Sequence, residues 1–268
     1  APAGSLVYDT LASGHLYGSG DADDYTISLD AGQKVTLRVT PQNASLQAQV
    51  QLIAPDGVTV LGSASADAGG ATVLLQNVAV TAAGSYTLRV NQMDGAGEFQ
   101  VQLVLNAALE NETYAGAADD TLAGAQDLSC SRIALAGTAD RLAVLGSLVA
   151  GNADWYGFNL AAGQVASLNV TRTDQPSASG LTLELRDPAG DLLASGIADP
   201  GNVDQSISRF VASAAGTYYA RVTGSGAMPY NLVVTRSADF GLETQDLVQE
   251  ITTSGQVLGA LRSEGFGA

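Results

Sequence analysis

The residues able to do chemistry in this 268-residue sequence are mainly its acids. Asp and Glu number 27 against 11 Lys and Arg, while His15 is the only histidine and Cys130 the only cysteine. A Ser-His-Asp or Cys-His arrangement would have to run through His15, which stands beside Gly14 with no nucleophile-elbow pattern nearby. One histidine also rules out a histidine-rich zinc site. Cys130, between Ser129 and Ser131, can form no internal disulfide and reads as a small buried hydrophobe. Carboxylates abound, but no pair stands out as a glycosidase couple. What does stand out is a spacing. Asp21-Ala22-Asp23 and Asn152-Ala153-Asp154 put oxygen-bearing side chains at alternate positions, on one side of an extended segment. That suits a hard cation, since calcium takes six to eight oxygen ligands, and it equally suits Asx turns at a strand start.

The charge balance narrows the partners. The formal net charge is −16 although only 14% of residues are charged, and Lys34 is the single lysine. Such a surface repels phosphate backbones, so nucleic acid is not an expected partner. No apolar run reaches the ~20 residues of a membrane-spanning helix. The chain opens Ala1-Pro2-Ala3-Gly4 without a start methionine and reads as a processed or excised piece of something longer.

The elements that must carry these residues are written twice. The segment from Gly20 to Gln33 (GDADDYTISLDAGQ) returns from Gly151 to Gln164 (GNADWYGFNLAAGQ). Val35, Leu37 and Val39 then answer to Ala166, Leu168 and Val170, Pro55-Asp56-Gly57 to Pro188-Ala189-Gly190, and Gly84-Ser85-Tyr86 to Gly216-Thr217-Tyr218. The matched blocks alternate with period two between Gly, Pro or Asp punctuation, the pattern of half-buried antiparallel strands. With no helical crossover pattern, the expected fold is all-β: tandem antiparallel β-sandwiches of about eight strands each, jelly-roll-like or Ig-like. The expected modules are 1–105, N-terminally abbreviated, and 106–237, with an acidic lead-in. Residues 238–268 read as the start of a truncated third module, because Gln249-Glu250-Ile251 echoes Gln126-Asp127-Leu128. Such a half-module would be loose or packed on a neighbour.

The order of blocks resembles the bacterial pre-peptidase C-terminal domain, a secreted β-sandwich module similar to the collagen-binding domains of clostridial collagenases. The blocks that carry the resemblance are Asp119-Asp120-Thr121, Ala125-Gln126-Asp127-Leu128, Asn152 to Phe158, Ala162-Gly163-Gln164, Pro188-Ala189-Gly190 and Gly216 to Val222. Asp119 departs from the pattern, which usually has Asn there. The resemblance implies calcium held between the lead-in and the Asp-x-Asp loop of the second copy. Its implied ligands are Glu110, Glu112, Asp119, Asp120, Asn152 and Asp154. Copy one keeps Asp21 and Asp23 but has no acidic lead-in.

These readings point to a non-catalytic spacer or binding array of a larger secreted or cell-surface bacterial protein, stabilised by calcium and partnered by neighbouring modules. The alternative is a targeting module for an extracellular polysaccharide or protein matrix. Tyr156, Tyr218 and Tyr230 fall on the apolar rows and are expected in the core, whereas Trp155 and Tyr219 point the other way.

Overall fold

A computed structural model describes residues 8–114, 116–135, 137–174, 180–198, 203–241 and 257–259. The chain divides into two compact units, Ala1–Ala108 and Leu109–Ala268.

Unit 1 holds β1 (Tyr8–Leu16), β2 (Ala22–Leu29), β3 (Lys34–Pro41), β4 (Gln47–Ile53), β5 (Val60–Ser65), β6 (Val73–Ala79), β7 (Gly84–Asp94) and β8 (Gly97–Leu105). They form two antiparallel sheets in the orders β1-β8-β3-β6 and β2-β7-β4-β5. This interleaving is that of a jelly roll, a topology that alternation along single strands cannot distinguish from an Ig-like order. The inward rows are apolar: Val35, Leu37 and Val39 of β3 face the core with Val50 and Leu52 of β4, Leu88 and Val90 of β7, and Phe99 of β8.

Unit 2 repeats the frame. The unit boundary falls inside β9 (Ala108–Leu109), and the lead-in carries the short strands β10 (Gln126–Asp127) and β11 (Ile133–Ala134). The sandwich follows as β12 (Asp140–Leu148), β13 (Ala153–Leu160), β14 (Val165–Arg172), β15 (Leu181–Arg186), β16 (Leu192–Ser195), β17 (Ile197–Ala198), β18 (Gln205–Val211), β19 (Gly216–Gly224) and β20 (Met228–Arg236). Its sheets run β10-β13-β19-β15-β16 and β11-β12-β20-β14-β18-β17, the same jelly-roll order with lead-in strands added at two edges.

The repeated turns have a common cause. In Ala-Gly-Gln the glycine sits at positive φ (Gly32 +89°, Gly163 +77°), and the glutamine carbonyl accepts the N–H three residues back, at 2.8 Å for Gln33 and 3.0 Å for Gln164. In the later block Tyr86 and Tyr218 donate their hydroxyls to Ala82 O and Ala214 O, tying the strand start to the preceding corner.

Of residues 238–268, the structure describes Ala238 and the parallel pair β21 (Asp239–Gly241) and β22 (Val257–Gly259). The expectation of a third module otherwise falls outside the described residues. One expectation is corrected: Cys130 is exposed, because the 3₁₀ turn Ser129–Ser131 buries Ser131 rather than the thiol.

Candidate metal centre

The lead-in of unit 2 is fastened before any ion is considered. Gln126 accepts the Asn111 N–H at 2.9 Å and donates to Leu109 O at 3.0 Å, and the Glu110 N–H donates to Leu145 O at 3.0 Å. The Trp155 N–H donates to Asp119 O at 2.9 Å, joining the lead-in to the edge of β13. These bonds bring Glu110 and Asp119 to the start of β13, where Asp154 points inward on the alternating row.

Glu110, Asp119 and Asp154 are all buried, and each offers a carboxylate oxygen within 4.8 Å of the others, a group that could hold a metal ion. Two of the acids are partly satisfied by neutral donors. Glu110 accepts from Tyr156 Oη at 2.9 Å, from the Ser147 N–H at 3.0 Å and from the Thr113 hydroxyl. Asp154 accepts from the Tyr230 hydroxyl. Asp119 differs. It is 1% exposed, and neither of its carboxylate oxygens has a hydrogen-bond partner.

Isolated buried charge is costly, so such a group takes up a proton or a counter-ion. Burial, followed by the charges of Glu110, Asp154 and Glu112, pushes the Asp119 carboxyl up to about 8. The Asp154 carboxyl is raised chiefly by burial; the Tyr230 hydrogen bond opposes this, and Glu110 and Glu112 add to it. The Tyr156 and Tyr230 hydroxyls are held well above their ordinary range, burial again leading. The donor set is all hard oxygen, which suits a hard dication over a thiophilic or imidazole-seeking metal.

Of the six residues implied by the resemblance, three therefore converge. Glu112 lies beside them, accepting the Asp119 N–H at 3.1 Å. Asp120 is half-buried with Oδ1 buried and unpartnered. Asn152 is half-buried in the turn before β13, its N–H donating to Val149 O at 3.1 Å.

The two tyrosine hydroxyls, 2.6 Å apart, belong to the same cluster. Alternation places Tyr156 and Tyr230 in the core, which they are, and hides that their polar ends reach the acids. The available signal was a difference between copies: Tyr230 stands where copy one has Phe99. Gly146 is also required, since a Cβ there would lie 2.5 Å from the Tyr230 ring and 2.7 Å from the Tyr156 hydroxyl.

Residues 152–224 match the family model of the bacterial pre-peptidase C-terminal domain. The second unit carries such a domain. Among solved structures, the pre-peptidase C-terminal domain of a Bacillus anthracis collagenase is similar at 29% identity, covering 34% of this chain and 86% of that one with a TM-score of 0.29. PliG of Aeromonas hydrophila, a periplasmic inhibitor of g-type lysozyme, is similar at 20% identity over 38% of this chain and 88% of that one, TM-score 0.27. The C-terminal CBM6 of LamC from Zobellia galactanivorans is similar at 18% identity over 37% and 98%, TM-score 0.25. No curated protein matches the sequence.

Outside the pre-peptidase C-terminal domain, Asp23 of unit 1 occupies the place of Asp154. Among the described residues its surroundings include no counterpart of Glu110 or Asp119, and the acidic group that could hold a metal lies in unit 2. His15 stacks on Tyr17 with ring centroids 4.1 Å apart, and its Nδ1 is buried without a partner. Trp155 and Tyr219 are half-buried on the outer face, and Trp155 is flanked by Arg186 and Arg221 at 5.7 and 5.6 Å from its ring centroid. No helix of the described residues is long and apolar enough to cross a membrane.

Proposed function

We propose that the chain is a non-catalytic tandem of β-sandwich modules, a spacer and attachment region of a larger secreted or cell-surface protein, in which calcium fastens the lead-in of unit 2 to its own sandwich. The observation that carries this reading is Asp119: a buried carboxylate with two unpartnered oxygens beside Glu110 and Asp154. Calcium would draw on those three carboxylates, with Glu112, Asp120 and Asn152 near enough in sequence to complete an oxygen shell. An ion there neutralises the charge that burial otherwise leaves exposed to its neighbours, and it couples residues 110–119 to β13. Stiffening that joint would fix the spacing of whatever precedes and follows the module.

The test is thermal unfolding in calcium and in chelator. Saturating calcium should raise the melting temperature of one transition by roughly 5–10 °C, the shift expected for a ligand present at ~100 times its Kd. Asp154→Ala should abolish the rise. Equal melting in calcium and chelator would overturn the metal reading.

The alternative, a module targeting a polysaccharide or protein matrix, calls for an open aromatic face. The Trp155 ring is instead covered by Arg186 and Arg221, which favours the spacer reading.

A further inference from the structure

Glu110 and Asp119 reach the metal centre on one stretch of chain, and a single buried side chain closes its neck. Gln126 is 8% exposed. Its amide accepts the Asn111 N–H at 2.9 Å and donates to Leu109 O at 3.0 Å, so it grips the backbone on both sides of Glu110. The backbone of Gln126 is itself fixed to the strand that carries Asp154, because β10 pairs in parallel with β13 (Gln126↔Tyr156, Asp127↔Gly157). The Leu128 N–H continues that pairing, donating to Gly157 O at 2.9 Å.

Residues 111–125 run out from this neck and return to it, folding on themselves on the way. The Tyr114 and Gly116 N–H groups both donate to Asn111 O, at 3.0 and 2.9 Å. Gly124 passes so close to Ala118 O that a Cβ would run into it. Asp119 sits on this loop, held through its backbone: its carbonyl accepts the Trp155 N–H, and its N–H donates to Glu112. The Asp119 carboxylate accepts no hydrogen bond, so the loop backbone sets its position. A loop whose ends are already joined has given up freedom that an ion would otherwise have to remove.

We propose that Gln126 is the positioning residue of the metal site: it clasps the neck of the loop and presets Glu110 and Asp119 opposite Asp154. The proposal rests on the calcium reading above. Gln126 is no ligand, since both ends of its amide are committed to backbone groups. The two bonds call for one acceptor and one donor on the same side chain, which an ionised glutamate at this place could not supply.

The test is Gln126→Met in the full chain, which keeps the length of the side chain and removes both bonds. By isothermal calorimetry its calcium Kd should rise ~10–100-fold, the usual effect of losing a residue that orients metal ligands. Hydrogen exchange gives a second readout. In chelator the Trp155 N–H, bonded to Asp119 at the far side of the loop, should exchange faster while the amides of β19 are unchanged. Saturating calcium should restore its protection. Leu128→Ala is the control, because it loosens the same segment by removing a fully buried side chain. It should lower the melting temperature in chelator and change the calcium Kd far less than Gln126→Met does. An unchanged Kd in Gln126→Met, or an equal rise in Leu128→Ala, would overturn the proposal. So would loss of the folded second unit in Gln126→Met, which would make the glutamine a determinant of the fold. No calcium binding by the parent chain is a separate result, and it would remove the metal reading together with this proposal.

Discussion

The hydroxyls of Tyr156 and Tyr230 lie 2.6 Å apart, and each donates to a different acid, Tyr156 to Glu110 and Tyr230 to Asp154. The pair thus links a residue of the lead-in to a residue of β13 through two core side chains, and leaves Asp119 as the acid without a donor. The rings are core packing while their polar ends position carboxylates.

Tyr230→Phe copies the state of copy one, where Phe99 holds the same place. The fold should survive, with a loss of ~1–2 kcal/mol for one buried hydrogen bond to a charged group. Calcium affinity should fall because Asp154 loses its orientation. Unfolding curves and a calcium titration of the variant check both.

Stability without calcium should fall as pH rises. The folded Asp119 carboxyl titrates up at about 8, against ~3.9 in an unfolded chain. Between these values the folded protein holds a proton that the unfolded protein has released, so rising pH favours unfolding. In saturating calcium the ion replaces the proton and the decline should flatten, with protons released on binding below about pH 8. Urea unfolding from about pH 5 to about pH 8, in chelator and in calcium, measures this. A rise of stability with pH in chelator would contradict it.

Asp119→Asn separates the metal from the packing. The variant should lose the calcium response, and its stability in chelator should depend less on pH because one titrating group is gone. Asp23→Ala in unit 1 should leave the calcium response unchanged. A lost response in the Asp23 variant would place the ion elsewhere.

Gly146→Ala tests the space the tyrosines need. The added methyl would crowd both hydroxyls, at a cost of ~1–3 kcal/mol for overpacking, and should weaken calcium binding. Melting and titration of the variant report the two effects.

Much of this was legible in the sequence, for a physical reason. Period-two alternation fixes which residues face inward, so the strands of both copies and the burial of Tyr156, Tyr218 and Tyr230 follow from local pattern. Strand order does not, because β1 beside β8 and β2 beside β7 are choices made across the whole copy. The convergence of Glu110, Asp119 and Asp154 depends on the lead-in bonds made by Gln126 and on the backbone bond between Trp155 and Asp119. The spacing of the acids alone does not contain it. The direction of Cys130 is not contained in the sequence, because its neighbours give no period and a 3₁₀ turn sets it.

The most direct test of the metal site is a count of bound ions. Calcium titrated into the full chain by isothermal calorimetry should show one ion per chain, with no binding to the Asp154→Ala variant. No heat from the parent chain, or equal binding by the variant, would contradict a calcium site formed by Glu110, Asp119 and Asp154.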